Sequence, residues 1–284
     1  MSKKLATLFL LPTFVLVAQP DKSAWEVLRQ GLADKNPETR RQSVTAAGSI
    51  GANVSEAVKF VEDGLKDMDT LVRQTAAAEL GEMKAKQSIP ALKTALDDPS
   101  AEVAFAAAKS MWDMGDNTGR NLIEDVLTGQ QRASQGMVSG AVQDAKRKMH
   151  EPRTLTLMGL KEASGALLGP FNIGVVAAEQ AFKDGSAGAR ALAATLLARE
   201  CDTESLRLLE KACTDDKSWA VKATVAKTLG QCGNRDSIPT LERNLSDSHA
   251  AVRFMAAAAI IRIGGKSLQK QAILLAPATV SPGL

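Results

Sequence analysis

The residues able to do chemistry in this chain are few. Its 284 residues include two histidines, His150 and His249, three cysteines, Cys201, Cys213 and Cys232, and no tyrosine. Two imidazoles are too few for a His-rich metal centre or for several acid–base pairs, and no cofactor or metal is expected. A Ser, His, Asp relay is compatible with the composition, yet no nucleophile elbow accompanies either histidine. His249 opens a predicted helix and His150 lies beside a predicted kink, so both read as surface residues. In an exported chain the cysteines would invite a disulfide reading. However, Cys201 and Cys232 fall at equivalent ends of successive helices, whose axes pack about 8 to 10 Å apart, beyond the roughly 7 Å reach of a bridge. Cys213 belongs near the opposite end of its unit. All three are therefore read as small apolar fillers with no redox role.

The bulk composition narrows the classes further. Lys and Arg number 35 against 32 Asp and Glu, and hydrophobic residues make up 45% of the chain. That is a folded protein with enough apolar material for a sizeable core. Nearly balanced charge and only 4% aromatic residues argue against nucleic acid as a partner.

The amino end has the form of an export signal. Lys3 and Lys4 precede an apolar run from Leu5 to Val17, and Ala18 offers a small residue at a cleavage point before Gln19-Pro20. The run is shorter than the roughly 20 residues a membrane span needs. Its removal lowers the net charge from +3 to +1. A signal peptide over 1–18 implies a periplasmic or secreted protein.

What positions these residues is a repeat. With Asp34, Asp67, Asp98, Asp184, Asp216 and Asp247 as register zero, the spacings are 33, 31, 86, 32 and 31 residues. One or two residues later stands Asn36, Asp69, Ser100, Ser186, Ser218 or Ser248, a side chain suited to cap a helix start. Apolar residues recur at registers 5, 9 and 13, as in Val72, Ala76 and Leu80, and Ala pairs such as Ala76-Ala77 and Ala256-Ala257 permit close helix packing. A preceding helix, as from Ser88-Ile89-Pro90 or Ser237-Ile238-Pro239, completes each unit. No sustained two-residue alternation marks a strand. The expected fold is all-α, an α-solenoid of about seven helix pairs over 19–275, degenerate over about 117–171, with a disordered tail at 276–284. Between its halves the apolar, helix-breaking loop Gly165–Gly174 reads as a buried kink within one stack, the alternative being a partner-binding or membrane-touching loop. The cluster Lys146, Arg147, Lys148 and Arg153 reads as a solvated helix end.

The run Asp67, Val72, Arg73, Ala76, Ala77, Leu80, Gly81 resembles the short HEAT-like repeat of bacterial proteins labelled after phycobilisome lyases. The resemblance implies a right-handed solenoid. It also implies that the cations at register 6, Arg40, Arg73, Arg190, Lys222 and Arg253, form a structural ladder with the register-zero aspartates; only Ala104 breaks the series. Iron-binding hydroxylases of HEAT type present several His-Glu pairs, whereas this chain has one, His150-Glu151. Bilin lyases act inside the cell, so the export signal argues against carrying over their activity. The expected function is an exported, non-enzymatic scaffold that binds a protein or peptide on its concave face, the alternative being a lyase or chaperone-like enzyme of that family. Registers 7 and 11 of the second helices should form that face. Its expected contacts are Gln74, Phe105, Lys109, Lys227 and Phe254, the two Phe standing where a core-facing helix does not need them. Nucleic acid and membrane are not expected partners.

If the leader is cleaved as read, mass spectrometry of protein from its native host finds Gln19 as the first residue. Retention of Met1 to Ala18 in a cytosolic fraction contradicts export.

Overall fold

The fold is an α-solenoid, helical in every regular element among the described residues. The computed structural model describes residues 20–118, 120, 123–124 and 187–275. The leader, most of the degenerate middle with its loop and basic cluster, His150, Asp184, Ser186 and the tail lie outside them. The helices are α1 (Pro20–Leu32), α2 (Pro37–Gly48), α3 (Ser55–Gly64), α4 (Thr70–Glu82), α5 (Ile89–Ala95), α6 (Ala101–Asp113), α7 (Ala187–Leu197), α8 (Thr203–Asp215), α9 (Trp219–Cys232), α10 (Ile238–Asn244) and α11 (Ala250–Leu275). They pair as α1/α2, α3/α4, α5/α6, α8/α9 and α10/α11, with α7 in the register of a second helix. Pro90 and Pro239 stand in the first turns of α5 and α10, where a missing N–H costs nothing.

Each turn between paired helices is built on the aspartate at register zero. Its carboxylate accepts the amide N–H two residues ahead at 2.8 Å in all five described copies, from Asn36, Asp69, Ser100, Ser218 and His249. This Asx turn reverses the chain and sets the next residue at the helix start. Side-chain capping is less uniform than the sequence suggests. Asn36 accepts from the Glu38 amide at 2.9 Å, and Asp69 accepts from Leu71 and Val72 at 2.9 and 3.2 Å. Ser100 turns its hydroxyl to the Glu102 carboxylate, and Ser218 makes no side-chain cap. In the last unit His249, not Ser248, takes the register of the held amide.

In α4, α6, α9 and α11 registers 5, 9 and 13 face the core, whereas Ala189 and Ala193 at registers 5 and 9 of α7 are exposed. Val72, Ala76 and Leu80, with their counterparts in α6, α9 and α11, are all 1% exposed or less. Small residues set the helix spacing. A Cβ on Gly81 would strike the Ser110 side chain, and one on Gly230 would strike Ala259, so adjacent second helices touch backbone to side chain there. The Ser110 hydroxyl uses that proximity to donate to the Ala77 carbonyl at 2.8 Å.

Ion pairs run along the stack. Arg40 grips Asp67 through two bonds of 2.7 Å, Arg73 grips Asp98 at 2.7 and 3.0 Å, Arg190 grips Asp216 at 2.7 and 3.1 Å, and Lys222 reaches Asp247 at 3.2 Å. Each cation reaches the aspartate of the following unit. Arg40 and Arg73 also donate to backbone carbonyls of their own turn, at Asp34 and Lys35 or Asp67 and Met68.

The order of units in the stack differs from their order in the chain. Second helices pack as α7, α9, α11, α2, α4, α6, so the last unit sits beside the first. Where the sequence places the join of the two repeat blocks at the Gly165–Gly174 kink, the described contact between them is α11 against α1 and α2. There the Phe254 ring fills the space over Gly31, the Asp21 carboxylate lies over Gly264, and Arg262 donates to the Ser49 carbonyl at 2.5 Å. The ladder has no ion pair between Arg253 and Asp34 at this join. Arg253 keeps its carbonyl bonds, to Asp247 and Ser248, and its guanidinium lies 5.9 Å from the centroid of the Phe254 ring.

The Arg40 and Asp67 side chains are each 9% exposed, whereas that of Arg190 is 40% exposed. Arg40→Ala strands a buried carboxylate and should lower stability by about 3 kcal/mol. Arg190→Ala, in a better solvated pair, should cost about 1 kcal/mol. Equal shifts in urea melts would contradict this ordering.

Candidate functional site

Registers 7 and 11 do not form one uniform surface. Gln74 on α4, Phe105 and Lys109 on α6 and Lys227 on α9 are half-buried. Lys109 pairs with Asp113 at 2.9 Å. At the join the same registers are covered: Arg41, Thr45, Ala223, Phe254 and Ala258 are all buried. Phe254 is thus a correction to the expected contact surface. It is 3% exposed because Gly31 leaves room for its ring between α11 and α1, so it belongs to the core of the join. Accessible positions of the face lie toward its two ends.

Between those ends lies a group of charges drawn from four helices. Glu79 on α4 directs its carboxylate over Gly48 of α2, where any side chain would collide with it. Burial pushes the Glu79 carboxyl up to about 7, opposed by Lys227 of α9, Arg41 of α2 and the Thr45 hydroxyl, and reinforced by Glu82. Lys227 is driven down by burial and held up by Glu79 and Glu82. Arg262 of α11 is also lowered by burial. Glu79 and Lys227 each keep some accessible surface while protein surrounds them, as at the bottom of a concave wall. In the stack α11 and α2 stand between α9 and α4, yet Glu79 and Lys227 act on each other electrostatically. The second helices therefore bend around a shared interior. Thr45 is 6% exposed and its hydroxyl makes no well-aligned hydrogen bond, although it lies beside the Glu79 carboxylate. Arg41 is fixed by a two-bond grip on Glu38 at 2.6 and 2.7 Å.

Reasoning from the sequence missed Glu79 and Arg262. A signal for the first was present: register 12, where Glu79 stands, holds Ala46, Ser110, Leu196, Thr228 and Ala259 in the other units, so an acid there breaks the pattern. Nothing in the sequence brings Arg262 to the Ser49 carbonyl, because that contact depends on the last unit meeting the first.

The family model for HEAT repeats matches residues 58–134, 176–262 and 206–278, together more than half of the chain. The chain belongs to the HEAT-repeat family. Similar solved structures include human deoxyhypusine hydroxylase in complex with glycerol, 17% identical over 86% of this chain and 97% of that one, with a TM-score of 0.32. Another is the complex of CpcE and CpcF of phycocyanin lyase from Nostoc sp. PCC7120, 20% identical over 90% and 100%, with a TM-score of 0.32. A designed armadillo repeat protein is 16% identical over 86% and 100%, with a TM-score of 0.25. No curated protein matches. Likeness at this level says nothing about activity.

Within this HEAT-repeat chain the described histidine lies apart from the charge group. His249 stacks on Trp219 with ring centroids 5.6 Å apart. Its Nδ1 faces both the Ser248 hydroxyl at 3.1 Å and Asp247 at 3.5 Å. A proton relay needs serine and aspartate on opposite ring nitrogens, so this trio is not arranged as one. Cys213 is fully buried and its sulfur accepts from Asn244 at 3.1 Å; burial pushes its thiol up to about 12. Among the described residues no three His, Cys, Asp or Glu side chains form a metal-binding group, and no helix is long and apolar enough to cross a membrane.

The raised Glu79 carboxyl gives a pH dependence of stability. The folded chain keeps that proton up to about pH 7, the unfolded chain only to its ordinary 4.5. The native state thus binds more protons between these values, and stability falls as pH rises through them. Glu79→Gln should remove this loss, on the order of 1 to 3 kcal/mol, gaining in melting temperature over wild type at about pH 8 but not at about pH 5. Parallel profiles for the two proteins would mean that Glu79 is not the group responsible.

Proposed function

We propose that this HEAT-repeat protein is an exported, non-enzymatic scaffold that holds a protein or peptide segment against the inner face of its second helices. The observation that carries the reading is the juxtaposition, on one face, of the deep charges Glu79, Lys227 and Arg262 with the half-buried Gln74, Phe105 and Lys109. A polypeptide segment presents what such a face can take. Its carboxylates suit the lysines, its amides suit Gln74 and Glu79, and an apolar side chain suits Phe105. Four of the register-6 cations, Arg40, Arg73, Arg190 and Lys222, are held by aspartates along the stack and so serve cohesion. Export rests on the leader residues, and the non-enzymatic reading on the two histidines and the lack of a relay at His249.

Site-specific photo-crosslinking in the native host tests the reading. Probes at Gln74 and Lys109 should capture the same polypeptide, outer-face probes at Lys59 and Leu208 should not, and charge reversal at Lys227 should weaken capture about tenfold. Capture from the outer probes alone would overturn the placement, and a product-forming reaction on the captured protein would overturn the non-enzymatic reading.

A further inference from the structure

The carboxyl-terminal ends of two successive second helices bring two thiols together. Seventeen residues after the register-zero aspartate, Gly51, Lys84, Gly115 and Cys201 all adopt left-handed backbone, with φ of 99°, 54°, 85° and 51°. This is the turn by which α2, α4, α6 and α7 end, whereas α9 ends at Gly233 with φ of −66°. Cys201 therefore stands beyond α7, exposed, with its thiol donating to the Ala198 carbonyl at 2.9 Å. Cys232 is the last residue of α9, which packs against α7; it is half-buried, and its thiol interacts with that of Cys201.

A third group completes the cluster. Lys266 of α11 anchors its ammonium on the carbonyls of Gly230 and Gln231 at 3.3 and 2.5 Å, next to Cys232. Burial, and then the neighbouring Cys201 thiol, push the Cys232 thiol up to about 12, and the Lys266 charge opposes them. Both cysteines are free in this structure. Cys213 takes no part, since it is fully buried against Asn244.

We propose that Cys201 and Cys232 are a disulfide-forming pair that links the α7 unit to the α9 unit. The limit that helix-axis spacing places on a bridge holds for cysteines on facing helices. It does not hold here, because the left-handed turn carries Cys201 off the end of α7 toward its neighbour. This corrects the reading of these two residues as inert fillers; Cys213 keeps that role.

The reaction is thiol–disulfide exchange with a small-molecule disulfide. The exposed Cys201 thiolate attacks one sulfur, the S–S bond of the small molecule breaks, and one small thiolate leaves. Cys232 then attacks the Cys201 sulfur of the mixed disulfide. Its proton passes to water, and the second small thiolate departs. Two protein thiols are oxidised to one disulfide while the small disulfide is reduced to two thiols. The pairing depends on neither the export nor the partner reading.

The test treats the full reduced chain with oxidised glutathione, alkylates the remaining thiols and maps peptides by mass spectrometry. The expected product is an intramolecular Cys201–Cys232 bridge, with Cys213 alkylated only after unfolding and a melting temperature several degrees above that of the reduced protein. Cys232→Ser should trap glutathione on Cys201. Cys201→Ser, a change at an exposed site, should leave Cys232 unreacted in the native state. Persistent glutathione on wild-type Cys201 without a bridge, or a bridge that includes Cys213, would overturn the proposal.

Discussion

The carboxylate at register zero accepts from two directions at once, and the remaining architecture depends on its doing so. In the second unit Asp67 takes the Asp69 amide, which makes the turn, and the Arg40 guanidinium, which ties the preceding unit to it. Both donors stabilise the ionised form, and Arg40 chiefly holds the Asp67 carboxyl below the usual carboxylate range. The rung's contribution is therefore present above the usual carboxylate range and lost as pH falls from that range through the lower value that Asp67 holds in the folded chain. Coupling a local turn to a contact 27 residues away makes register a shared property of neighbouring units. A slip would leave both a buried carboxylate and a buried guanidinium without partners.

Where that device stops, shape takes over. At the join of α11 with α1 and α2 there is no ion pair from Arg253 to Asp34, and the interface relies on Phe254 over Gly31 and on Arg262 reaching Ser49, 213 residues away in sequence. Contacts this distant carry a larger loop-closure cost than those within a unit, so they contribute only once both blocks present finished surfaces. The four rungs act within the blocks, and complementary packing acts between them.

The same join explains the uneven inner face. Bending the stack brings α4 and α9 near enough for Glu79 and Lys227 to interact, and covers the residues between them. Buried charge of this kind is costly and opposes the repeat's preference for small residues at register 12. A local departure from an otherwise consistent pattern is where function is first sought in a repeat protein.

The helix pairs, the 5, 9, 13 core stripe and the cohesive role of the register-6 cations could be read from the sequence because they arise from interactions within a unit or between consecutive units, which the repeat displays several times over. Tertiary structure alone decided that the last unit meets the first, that Phe254 is buried, that Glu79 faces Lys227, and that a left-handed turn brings Cys201 to Cys232. The first three join residues whose separation has no counterpart in the repeat period; the two cysteines are one period apart, but the left-handed backbone at Cys201 is not displayed by the pattern. Periodicity encodes only nearest-neighbour contacts, whereas curvature and closure sum small rotations over the whole stack.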